Sequence, residues 1–179
     1  MLRRLARWLG VALVLILGSG YAAINLSGHD PQRWHVDPVS AGLRGTPNEI
    51  LAAPPGTTAA APHIATQVHA ASQRALLARF DAVARAQPRT QVVAGDVESG
   101  MISYVQRTPV IGFPDYLTVK AVPVGDGAGL VVWSRSRYGR DDLGANRQRV
   151  RTWLGELGEG AAPAHTPAHT PGQPSSTDS

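Results

Sequence analysis

The chain has no cysteine and only one lysine, Lys120. The first absence excludes disulfides, thiolate metal sites, a cysteine nucleophile and the acylated cysteine of a lipoprotein. The second makes almost all of the positive charge arginine. Of a formal net charge of +4, three arginines (Arg3, Arg4 and Arg7) stand ahead of an apolar segment, so the remainder is close to balanced. That balance argues against a nucleic-acid partner. Histidine is also missing between residues 88 and 157. His29, His35, His63 and His69 all come earlier, and there is neither a His-Glu-x-x-His helix nor a Gly-x-Ser-x-Gly elbow. Proton transfer would rest on Asp96, Glu98, Asp115, Asp126, Asp141, Asp142, Glu156 or a tyrosine, and most of those carboxylates fall in turns. The expectation is no catalytic residue, no metal and no cofactor. The glycine-rich run Gly125–Gly129 joins strand to strand and opens no helix, so it is not a phosphate loop.

What the chain does have begins at the N-terminus. No charged residue occurs from Trp8 through Gly28, and Trp8–Leu26 as a helix would be about 28 Å long, close to a hydrocarbon core of about 30 Å. Trp8 and Tyr21 stand near the two interfaces, and the arginines before Trp8 place the N-terminus in the cytoplasm. A retained single-pass anchor is the favoured reading. A cleaved signal peptide is the other, with small residues around Gly20-Tyr21-Ala22 at the cut. The expected organisation is a basic start (1–7), an anchor (8–26), an extended, low-complexity segment (27–63), an α+β domain (64–157) and a disordered tail (158–179). The tail repeats Pro-Ala-His-Thr-Pro, and prolines between His165 and His169 deny them the helix their ligand-like spacing would need.

Within the domain, the pattern predicts a helix over 66–86 with Val68, Ala75, Leu76, Phe80 and Val83 on one side, ended by Pro88. Strands are predicted over 91–97, 101–108, 116–122 and 130–137, and a last helix over 143–157. The fold class is therefore α+β: an antiparallel sheet of about four strands flanked by two helices, after one transmembrane helix. In the fourth strand, Val131, Trp133, Arg135 and Arg137 share one face, and Leu130, Val132, Ser134 and Ser136 share the other. Asp141 or Asp142 can cap the helix that follows, and spacing from Leu143 brings Asn146 and Arg147 onto its apolar face.

The stretch Ser134-Arg135-Ser136-Arg137-Tyr138-Gly139-Arg140-Asp141-Asp142-Leu143-Gly144-Ala145-Asn146-Arg147 resembles the C-terminal signature of the bacterial family called domain of unknown function 1499. The resemblance extends back through Tyr104–Thr108, Phe113-Pro114-Asp115, Asp37-Pro38 and Pro47-Asn48, and so over most of residues 34–157. The family carries no established activity, so the resemblance implies no reaction.

The polar residues that do not read as surface are Arg107, Asp115, Arg135, Arg137, Asn146 and Arg147. If the arginines outnumber their carboxylate partners, they form an anion site for a phosphate, a lipid headgroup or an acidic peptide. If pairing is complete, they lock the corner between sheet and helix, which is the favoured reading. The corresponding function is a non-enzymatic accessory domain of the cell envelope, on the outer side of the inner membrane, binding a partner protein or envelope component. The alternative is an amphiphile or lipid carrier with an arginine-lined mouth, and a carboxylate hydrolase ranks last.

Overall fold

The structure is a computed structural model that describes residues 1–26 and 28–158. The expected tail from 159 onward, with His165 and His169, lies outside the described residues. Helix α1 (Leu2–Asn25) contains the apolar stretch and projects from the domain with none of it buried. Its segment Arg3–Asn25 is long and apolar enough to cross a membrane, as an anchor or a signal sequence would be. A single turn, α2 (Pro31–Trp34), follows, with Asp30 accepting a hydrogen bond from the Gln32 amide at 2.9 Å.

Seven strands form one mixed sheet: β1 (Glu49–Ala53), β2 (Ile64–Ala65), β3 (Val68–His69), β4 (Thr90–Asp96), β5 (Met101–Arg107), β6 (Pro114–Val124) and β7 (Gly127–Ser136). The order is β2-β1-β7-β6-β5-β4, and β3 pairs with the start of β7. The expected four-stranded antiparallel meander is present as β4–β7. The expectation was nevertheless too small and too uniform, because β1 and β2 pair in parallel and β1 completes the far side of β7. β1 came from a segment expected to be irregular. All five of its residues are buried, so it shows none of the alternation by which a half-buried strand is read.

Helices α3 (Gln73–Ala86) and α4 (Ala145–Glu156) cover one sheet face. α3 is seven residues shorter than expected. Val68 and His69 are in β3, and the helix starts only where the Ser72 hydroxyl accepts a bond from the Ala75 amide at 3.2 Å. Its buried stripe Leu76, Leu77, Phe80 and Ala84 meets Val150, Trp153 and Leu154 of α4 over Ile102, Tyr104, Leu117, Leu130 and Val132. Each of these large side chains contributes about 1.5–3 kcal/mol by leaving water. The Tyr104 hydroxyl donates to Asp81 Oδ1 at 2.8 Å, tying α3 to the sheet.

The opposite face is closed by the chain between α1 and β1. Val39, Ala41 and Leu43 lie against Leu51, Val131 and Trp133, while Trp34 packs on Val105 and Tyr116. The alternation predicted for β7 therefore holds: Leu130 and Val132 face the helices, and Val131 and Trp133 face the N-terminal segment.

Candidate functional site

The helical register expected from Leu143 does not hold. Leu143 precedes α4, has φ 53° and is 97 % exposed. The buried stripe of α4 instead runs Asn146, Val150, Trp153 and Leu154. That places Arg149, one turn from Asn146, over the sheet, and leaves Arg147 on the shoulder. The N-cap of α4 is Gly144 and not an aspartate, but Asp142 just before it still serves the helix start: its Oδ2 accepts from the Asn146 amide at 2.7 Å and its Oδ1 from the Gly144 amide at 3.0 Å.

On this face a buried polar node forms. Asn146 Nδ2 donates to the Asn48 carbonyl at 3.0 Å and to Ser136 Oγ at 2.9 Å. Its Oδ1 accepts from Ser134 Oγ at 2.6 Å and from Arg149 Nη1. Two donors and two acceptor positions are all an asparagine amide has, so Asn146 has no capacity left for a ligand. Arg149 donates through Nη2 to Asp115 Oδ2 at 2.7 Å, through Nε to Gln106 Oε1 at 2.6 Å, and through Nη1 also to Ser134 Oγ at 3.2 Å. The Arg149 and Asp115 side chains are 8 % and 6 % exposed, so each is the other's charge partner in a site nearly free of water. Asn48, whose Nδ2 donates to the Gly139 carbonyl at 2.8 Å, ties the β7–α4 turn to the entry of β1.

Arg107, Arg135 and Arg137 are on the opposite face. The Arg135 guanidinium lies 3.6 Å from the Trp133 ring centroid and 5.4 Å from that of Trp34, and its Nη2 donates to the Trp34 carbonyl at 2.8 Å. Burial pulls the Arg135 pKa down to about 10, with the Arg44 charge acting in the same direction and Glu49 opposing. Nη1 of Arg135 is buried with no hydrogen-bond partner. The Trp34 ring stacks on Tyr116 at 3.7 Å and 4° between planes. Buried Glu49 accepts from Trp133 Nε1 at 3.3 Å and pairs with Arg44 at 3.6 Å.

The other two arginines hold the end of α1. Arg107 donates to the carbonyls of Ile24 and Asn25, each at 3.2 Å, and of Gly112 at 2.9 Å, so a cation stands at the negative end of the helix dipole. Arg107 Nη2 also lies 3.3 Å from His29 Nε2, and Arg137 donates to the Gly28 carbonyl at 3.0 Å. Because Arg107 can only donate, His29 Nε2 is the acceptor there and Nδ1 carries the proton to the Tyr116 hydroxyl at 2.7 Å. Burial, then the charges of Arg107 and Arg137, hold His29 below its usual pKa.

The six residues singled out from the sequence are thus not one cluster. Asp115 and Asn146 meet under α4, Arg107, Arg135 and Arg137 meet the N-terminal segment, and Arg147 stands apart in an open depression beside Glu49 and His63. Sequence reasoning missed Arg149 and Gln106. Starting from Asn146 rather than Leu143, the spacing 146, 149, 150, 153 would have found Arg149.

A pocket of about 300 Å³ opens beside the polar node, sharing Asp115 and Ser136 with it, between the β5–β6 connection and the turn from β7 to α4. Phe113, Tyr138 and Leu143 supply its apolar wall, and Asp115, Asp141 and Asp142 its carboxylates. Among the described residues, no arginine lines it, and no group of three or more His, Asp or Glu has metal-binding geometry.

No curated protein and no solved structure matches the chain. The sequence profile of a family described as "Protein of unknown function (DUF1499)" matches residues 43–157, which run from the segment entering β1 to the end of α4 and include every residue of the polar node under that helix. This chain belongs to that DUF1499 family.

Proposed function

We propose that the chain is a membrane-anchored envelope protein whose domain, outside the cytoplasm, is a non-enzymatic accessory module that binds a partner protein or envelope component. Arg3, Arg4 and Arg7 on the cytoplasmic side of α1 support the orientation. The observation that carries the binding reading is the pocket. Asn146, Arg149 and Arg107 spend their hydrogen bonds on the protein itself, and Arg135 is buried against Trp34 and Trp133, whereas Phe113, Tyr138 and Leu143 border open space at the end of the sheet where α1 is attached. Ligand binding by Arg107, Asp115, Arg135, Arg137, Asn146 and Arg147 has less support than a structural role for the first five, because their partners are protein groups. The carboxylate lining also favours a partner protein over an anionic amphiphile held by an arginine mouth.

The test is photocrosslinking in cells, with benzoylphenylalanine at Tyr138 or Leu143 and, as control, at Asp126 in the β6–β7 turn. β7 has nine residue steps, so Asp126 lies about 30 Å along the strand from the pocket. A discrete protein adduct from the pocket positions and none from Asp126 is expected. An adduct of lipid mass would favour the carrier, and no adduct would contradict both readings.

A further inference from the structure

The β5–β6 connection presents apolar side chains to solvent at one defined place. Its base is closed: the Thr108 amide donates to the Phe113 carbonyl at 3.0 Å, and the Phe113 amide to Thr108 Oγ1 at 2.9 Å. The tip, Pro109-Val110-Ile111-Gly112, projects from it, with Val110 85 % and Ile111 45 % exposed. Such residues in isolation need no explanation. Their position does, because the tip is bonded to the last turn of α1. Asn25 Nδ2 donates to the Ile111 carbonyl at 3.1 Å, and Arg107 bridges the Gly112 carbonyl to those of Ile24 and Asn25. Gly112 has φ 82°, which strains any side chain, and a Cβ there would displace the Asn25 amide from its bond to Ile111, so glycine favours this approach. When the uncharged stretch of α1 fills the hydrocarbon core, Asn25 falls at the headgroup level and the tip is held there with it. Tyr21 and Leu26, 56 % and 83 % exposed, are further apolar side chains at this end of α1.

We propose that Val110 and Ile111 insert into the interfacial region of the leaflet where α1 leaves the membrane, giving the domain a second, shallow membrane contact. The occupant is the lipid bilayer, and the inference rests on α1 being retained as a span. Two attachment points fix the domain's orientation, which a lone helix followed by a free linker would not do.

The absence of cysteine makes the test direct. Full-length chain carrying Val110→Cys, Ile111→Cys, Leu15→Cys or Asp126→Cys is labelled with an NBD fluorophore and reconstituted into phosphatidylcholine vesicles with or without doxyl-labelled lipid. Leu15 lies mid-helix and Asp126 at the far end of the sheet. Labels at 110 and 111 are expected to be quenched several-fold more than the label at 126, and more by a shallow than by a deep doxyl group, with the reverse depth order at 15. If 15 is quenched while 110 and 111 behave like 126, the loop contact is refuted and the anchor stands. If 15 is not quenched, the anchor reading fails and the loop contact fails with it.

Discussion

Replacing Arg149 by methionine removes the only cation that, among the described residues, is bonded to Asp115, while keeping an apolar stem of similar length. The carboxylate stays buried with its charge uncompensated, and Gln106 Oε1 loses its 2.6 Å donor. Removing one partner of such a buried pair costs about 3–5 kcal/mol. Against a total domain stability of about 5–15 kcal/mol, that is a large fraction. Urea titration of the full chain in nanodiscs reads this out through buried Trp34, Trp133 and Trp153. With a urea dependence of about 1–3 kcal/mol per molar, the midpoint should fall by about 2 M. The double variant Asp115→Leu/Arg149→Met should recover most of the loss, because an apolar pair of similar volume often replaces a buried ion pair at little cost. Arg147→Gln, at a half-exposed residue with no bonded partner among the described residues, should stay within about 0.5 kcal/mol of the parent. An Arg149→Met variant that unfolds with the parent, or an Arg147→Gln variant that loses as much, would refute the assignment of Arg149 as the lock of α4.

Trp34→Ala should cost about 3–5 kcal/mol by the same titration, because it removes the ring stacked on Tyr116 and uncovers Arg135. A loss below about 1 kcal/mol would mean that the segment before β1 does not close the second face. The fold should also weaken in mild acid. His29 has its pKa lowered in the folded state, so the unfolded chain binds more protons as pH drops. The stability due to neutral His29 is therefore complete above the unfolded value of 6.5 and is lost as pH falls from there through the folded pKa. Urea midpoints measured from pH 7.5 to 5 should decline, and His29→Gln should flatten that part of the slope. An unchanged slope in the variant would show that the ring does not titrate against Arg107 and Arg137.

The meander was legible because Glu98-Ser99-Gly100 and Gly125–Gly129 mark its turns, β6 alternates Leu117, Val119 and Ala121 with Thr118 and Lys120, and β7 carries the apolar run Leu130–Trp133. The period of two in β7 also divided its polar residues correctly between two faces. What it could not show is what covers the second face. Trp34, Val39, Ala41 and Leu43 lie in a segment rich in turns, and their packing on Leu51 and Trp133 is a long-range match with no local period. β1 was hidden because it has no alternation to display and, unlike the similarly buried β7, its five residues include only two large apolar side chains, Ile50 and Leu51. Asn146 was recognised as buried, but Leu143 was taken as its apolar neighbour. In the structure, the positive φ of Leu143 and Gly144 ends the turn before the helix begins, and the register moves to Arg149. Charges on one short stretch, Arg135, Arg137 and Arg147, looked convergent. Arg135 and Arg137 do share one face of β7, but the intervening turn carries Arg147 onto α4, which covers the other face.

We infer that the arginines of this signature serve the fold and the attachment of α1 to it, not an anion. That role is tested most directly by following the arginine Nε–Hε signals of the full chain in nanodiscs while inorganic phosphate is added. The signals of Arg107, Arg135 and Arg149 are expected not to move through millimolar phosphate, since Arg107 and Arg149 direct donors at Ile24, Asn25, Gln106 and Asp115, and Arg135, despite its one unpartnered nitrogen, is buried against Trp34 and Trp133. A saturable shift of any of the three would contradict it and return the cluster to the anion-binding reading.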